Sequence, residues 1–196
     1  MSDIKSAADI AREKVAGLEK ATDEERLKWK YVPEGEKLAA RYLKQNMNLL
    51  AELANYEEKV RRYIKDGASE ILVRNINLPK SDLARKNNKR AMEGLKTLKK
   101  DKVGVENIFS KMRHIFNHYI EQGEQQRKQA YEQLKVEFEA KVRQAIQQQL
   151  GAVVGIKINV ERQPQFQEEW HKLLAHLDSQ YLMLLNQYKQ ELSAIA

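Results

Sequence analysis

Cysteine is missing from all 196 residues, which excludes a disulfide framework, a thiolate zinc site and a cysteine nucleophile. Glycine (8) and proline (3) are scarce too, at about half their usual combined frequency. Few breakers together with 32% charged residues suit long, solvent-laced helices. No apolar run approaches the roughly 18 residues that a membrane-spanning helix needs. The opening Met1-Ser-Asp-Ile-Lys-Ser6 lacks the apolar core of a signal peptide, so a cytoplasmic protein is expected.

Catalytic signatures are equally sparse. Gly104, Gly151 and Gly155 have neither the spacing nor the lysine and hydroxyl of a phosphate loop. No local serine, histidine and acid grouping stands out. Carboxylates are scattered among lysines as solvated helix faces require, and Glu168 and Glu169 fall in the first turn of a helix, where the macrodipole favours them. These absences predict a non-enzymatic protein with no catalytic residue, cofactor or resident metal, and they imply no small-molecule substrate.

What is present is helical periodicity. From Val105 to Leu150 the chain holds no proline and one glycine, Gly123; at 1.5 Å per residue such a helix would be roughly 69 Å long. Val105, Phe109, Met112, Phe116 and Tyr119 form one apolar stripe, and Ala130, Leu134, Phe138 and Val142 form another. The polar middle, Glu121 to Gln129, predicts a bend or a flexible joint. A second long helix is expected over 34–66, ended by Gly67, and a third over 165–195, with Phe166, Trp170, Leu173, Leu177, Tyr181, Leu184 and Tyr188 at helical spacing. The last should turn back antiparallel on the C-terminal half of the spine.

Shorter elements fill the rest. Residues 3–19 carry a modest amphipathic stripe, and Thr22 with Glu25 fits a capping box. Pro33 suits the first turn of a new helix. Residues 68–76 suit either a turn or two of helix or an extended piece, and the alternation of Ile156, Ile158 and Val160 suggests a short extended strap over 151–164. Asn46 and Asn88 interrupt otherwise apolar stripes and can be buried. The expected architecture is therefore all-α, an elongated antiparallel, coiled-coil-like bundle forming a single domain, with short helices in 1–33 and a basic helix in 80–102.

Charge is distributed unevenly. Of the net +7, residues 76–102 contribute 9 Lys+Arg against 3 Asp+Glu. Arg85, Lys86, Lys89, Arg90, Lys96, Lys99 and Lys100 form the candidate binding face for an anionic partner. Between Ile76 and Val105 there is no Phe, Tyr or Trp, which argues against stacking on single-stranded bases and leaves duplex phosphates, an anionic membrane surface or an acidic protein. His114 and His118 stand four apart, a spacing at which two imidazoles can share a metal, but they fall opposite the apolar stripe and no glutamate follows His114. Surface or interface histidines are the better reading.

Amphipathic stripes outnumber every other signal. The leading expectation is a scaffold or protein-interaction module, working with a protein partner or as a homodimer. Binding to nucleic-acid backbone through the basic helix is the alternative, and a peripheral role on anionic membranes ranks behind it.

Overall fold

Thr22 and Glu25 open the first helix reciprocally: the Thr22 Oγ1 accepts from the Glu25 amide at 3.2 Å, and the Glu25 carboxylate accepts from the Thr22 amide at 2.8 Å. A computed structural model describes residues 6, 21–45, 47–150 and 159–195. Among the described residues the chain is all-α, with six helices, one 3-10 turn and no strand. The helices are α1 (Asp23–Lys44), α2 (Leu49–Ala54), α3 (Glu58–Arg74), α4 (Asp82–Leu98), α5 (Lys102–Leu150) and α6 (Pro164–Ala194); the 3-10 turn is Val160–Arg162. The expected helix over 3–19, the buried role of Asn46 and most of the 151–164 strap lie outside the described residues.

The long helix expected over 34–66 is divided among α1, α2 and α3. Asn48 is the cause of one break. Its Oδ1 accepts from the Leu50 and Ala51 amides at 3.0 and 3.3 Å, so it starts a new helix instead of continuing the old one. Arg61 then clasps the end of α2, donating to the Ala54 and Tyr56 carbonyls at 3.2 and 2.8 Å. Periodicity survived these breaks because Leu49, Leu53, Val60 and Ile64 are all buried, whichever helix carries them. Pro33, expected in a first turn, lies inside α1, where it removes the amide that the Trp29 carbonyl would otherwise accept from.

Gly67 does not end a helix either, because α3 continues through it to Arg74 and absorbs most of the ambiguous 68–76 stretch. Its role is steric. A Cβ at Gly67 would stand 2.1 Å from the Val32 carbonyl oxygen, and one at Gly35 would stand 2.1 Å from the Ile64 carbonyl oxygen. Helices α1 and α3 thus cross with backbone against backbone, a contact only two glycines allow. Gly94 of α4 is buried likewise against Leu72 and Tyr42.

By contacts the described residues form two compact units. One comprises those up to Ile76 with Lys86–Val105 and Ile195; the other comprises Asn77–Arg85 and Glu106–Ala194. The first unit holds the α1–α3 crossing and a core that includes Leu38, Ile64, Leu72, Ile76 and Leu95, all at most 1% exposed.

In the second unit α5 and α6 run antiparallel. Lys111 meets Glu191 at 3.3 Å, Tyr119 meets Asp178 at 3.0 Å, and the Tyr131 ring lies 5.0 Å from that of Trp170. Helix α6 therefore covers α5 from about Lys111 to Phe138, further toward the N-terminus than the C-terminal half that the stripe suggested. The returning chain fixes this register, for Val160 and Phe166 are fully buried against Leu134 and carry Tyr131, Phe138 and Trp170 around them. Helix α5 begins at Lys102, where Asp101 accepts from the Gly104 amide at 2.9 Å, and it runs unbroken through the polar middle. Gly123 is buried there, 3.3 Å from the Tyr181 hydroxyl at its would-be Cβ, so the glycine admits α6 and makes no break.

Candidate functional site

The seven basic residues singled out by charge have separate fates. Lys86, Lys89 and Lys100 are exposed. Arg85 pairs with Asp82 at 3.0 Å and belongs to the second unit, while the other six belong to the first. Arg90 is half-buried, its guanidinium 4.8 Å from the Tyr42 ring centroid and donating to the Gln45 carbonyl. Lys99 is half-buried too, donates to the Ile195 carbonyl, and has its ammonium pKa pushed down by burial. Lys96 is exposed, and its carbonyl accepts from Lys102. Two of the seven, Arg90 and Lys99, thus make contacts that hold the first unit together.

His114 and His118 are exposed, as their position opposite the stripe implies, and α6 brings His176 and Tyr181 beside them along a groove of about 410 Å³. The His118 Nδ1 lies 3.0 Å from the Tyr181 hydroxyl. No group of three His, Asp or Glu side chains that could hold a metal ion occurs among the described residues. Ile115, Leu177 and Leu184 give the groove an apolar wall. It continues onto an exposed apolar stretch of α6, with Leu182 41%, Met183 71% and Leu184 44% exposed. Between Lys172 and Lys189 the only acid, lysine or arginine is Asp178, which is buried. In a chain with 32% charged residues this stretch is low in charge.

Asp178 anchors the second concavity of this unit. It is 5% exposed, yet both of its oxygens are matched: Oδ1 accepts from the Tyr119 hydroxyl at 3.0 Å, and Oδ2 pairs with the Lys80 ammonium at 2.6 Å. Burial, and then the neighbouring Asp178, push the Tyr119 phenol from 10.0 up to about 12. On the face of the Tyr119 ring sits Arg127, its guanidinium 4.2 Å from the centroid and one N–H donating to the Tyr119 carbonyl at 3.2 Å. A chain of contacts Lys80–Asp178–Tyr119–Arg127 thereby lines a cleft of about 560 Å³, joined by Arg85 and His171, with Ile120 and Leu174 as apolar wall. Glu124 also faces it, but Lys128 pairs with that carboxylate at 2.9 Å and holds it below the usual carboxylate range.

Of the residues in this cleft, Arg85 belongs to the seven-residue basic face and Lys80 to the basic segment 80–102 without being one of the seven. Arg127 lies in the polar middle, which reads as plain solvated helix. Asp178 did carry a signal: a lone acid in an otherwise uncharged stretch of an apolar helix is a buried polar group in need of partners.

The model of a family of unknown function matches residues 50–194, which is most of the chain. The chain belongs to that family, DUF6657. The DUF6657 match contains both concavities whole, and α1 lies outside it. No curated protein and no solved structure matches the chain. Among the described residues no helix is long and apolar enough to cross a membrane.

Proposed function

We propose that this DUF6657 protein is a non-enzymatic helical scaffold that pairs with a second copy of itself through the outer face of α6. The observation that carries the reading is the uncharged, apolar surface around Met183. Interfaces are marked less by bulk hydrophobicity than by depletion of charge and enrichment of Met and aromatic residues at their centre. Met183 is 71% exposed, and its neighbours one turn away, Ser179, Gln180, Asn186 and Gln187, are all uncharged. That pattern also favours a second copy over an unrelated partner. In a two-fold interface residues near the axis face their own counterparts, so a charge there would meet its like. Methionine adapts to such a contact because its side chain is flexible and polarisable.

Light scattering over a range of protein concentrations tests the reading. The wild type should form a dimer whose dissociation constant changes little with salt, because apolar burial dominates the contact. Met183→Glu should raise that constant by at least about tenfold, a change of ~1.4 kcal/mol, while leaving the helix content intact. A wild type that stays monomeric at every concentration overturns the proposal. Titration of duplex DNA at two ionic strengths, against wild type and the Arg85→Glu, Lys89→Glu, Lys96→Glu variant, provides the competing outcome. Duplex binding that collapses with salt and with the triple change would move the function to nucleic-acid backbone.

A further inference from the structure

The cleft beneath Lys80 has no part in a dimer formed around Met183, and its electrostatics point elsewhere. We propose that it is a binding site for a small molecule carrying a phosphomonoester, with Arg127 as the group that receives the phosphate.

The carboxylates of the cleft already have partners within the protein. Asp178 is matched by Tyr119 and Lys80, and Glu124 by Lys128. Neither is left to attract a cation. The cations are not balanced in the same way. Among the described residues no carboxylate lies within ion-pair distance of Arg127, which stands on the ring face of Tyr119, donates to the Tyr119 carbonyl and packs against Gly123; Glu124, held by Lys128, feels its charge only at longer range. Among the described residues the ion pair of Arg85 is with Asp82, a carboxylate 86% exposed, and a pair so open to water contributes little.

Two guanidinium groups with unspent N–H donors therefore face the same cavity. A phosphomonoester carries about −1.5 to −2 charges at neutral pH and three acceptor oxygens, against one charge and two oxygens for a carboxylate, so it answers two guanidiniums better. The Tyr119 phenol remains protonated at neutral pH and adds no opposing charge. Ordering favours binding as well. Asp178 fixes Tyr119, and Tyr119 fixes the plane of Arg127, so little side-chain freedom remains to be lost when a ligand arrives. The volume of about 560 Å³ is several times that of a bare phosphate, within the range of small-molecule sites. Ile120 and Leu174 offer an apolar surface to the organic part.

Calorimetric titration of the full chain with phenyl phosphate, with inorganic phosphate, benzoate and phenol alongside, decides the matter. Phenyl phosphate should bind best, inorganic phosphate more weakly for want of the apolar contact, and phenol not at all. Arg127→Gln should weaken phenyl phosphate at least about tenfold, and Arg85→Gln should weaken it also. Lys141→Gln, an exposed cation remote from the cleft in sequence, should leave it unchanged. Arg85 is exposed at the cleft margin, so its variant keeps the test valid even if Arg127→Gln fails to fold. Met183→Glu should bind phenyl phosphate like the wild type, which separates failure of this site from failure of the dimer. Absence of phosphate binding in the wild type overturns the site, as does wild-type affinity in both arginine variants; benzoate binding as tightly as phenyl phosphate overturns the assignment to phosphomonoesters.

Discussion

Tyr119 shows how much a single hydroxyl can carry. It is 3% exposed and gives Asp178 one of its two partners. Tyr119→Phe leaves a buried carboxylate oxygen without that donor, at a cost of about 1–3 kcal/mol, measurable as a lowered urea midpoint at pH 7. The sign of its pH dependence follows from the raised pKa. With the folded phenol pushed from 10.0 up to about 12, its contribution is fully present below pH 10 and is lost as pH rises through 12. The stability of the wild type should therefore fall more steeply than that of Tyr119→Phe between those values; parallel curves would sink the assignment. Gly67 is the steric counterpart. Gly67→Ala gains about 1 kcal/mol of helix propensity, but its methyl would lie 2.1 Å from the Val32 carbonyl oxygen, and backbone cannot rotate aside as a side chain can. Overpacking of this kind costs about 1–3 kcal/mol. The clash should win, and thermal unfolding should show a lower midpoint; Gly104→Ala, whose neighbour is the movable Asp101 carboxylate, should cost less.

Among the elements, α2 is the least secured. It has six residues and relies on Asn48 at one end and Arg61 at the other, with Leu49 and Leu53 buried beneath it. Asn48→Ala should cost about 1 kcal/mol and should show locally, as faster hydrogen exchange at the Leu50 and Ala51 amides than at those of α3. Unchanged exchange would mean that burial of the two leucines alone holds the element. Helices α5 and α6 behave differently. Their pairing is long and rests on aromatic contacts, with Tyr131, Phe138 and Phe166 meeting edge to face at 5.6 Å, so no single cap decides it.

For the molecule as a whole, local patterning foretells the all-α class and the Thr22–Glu25 cap. Scarce glycine and proline, stripes at helical spacing, and the Thr22–Glu25 box all act within one or two turns, and each is found as read. Ser81 opens α4 by the same local logic, its hydroxyl accepting from the Ala84 amide at 3.2 Å, and Pro164 opens α6. What acts across the chain was not legible. Gly67 looked like a helix stop, because a glycine reads the same whether it ends a helix or lets another backbone approach. Arg90 and Lys99 counted as surface charge until the carbonyls they serve, on Gln45 and Ile195, were brought beside them. Lys80, Tyr119, Arg127 and Asp178 are far apart in sequence, and no periodic pattern links them. Sequence alone determined the all-α class and the starts of several helices, since propensity, capping and periodicity are local. Only tertiary structure decided which polar groups are buried together, because the desolvation that gives Asp178 its partners and Tyr119 its raised pKa arises when distant helices exclude water from the same place.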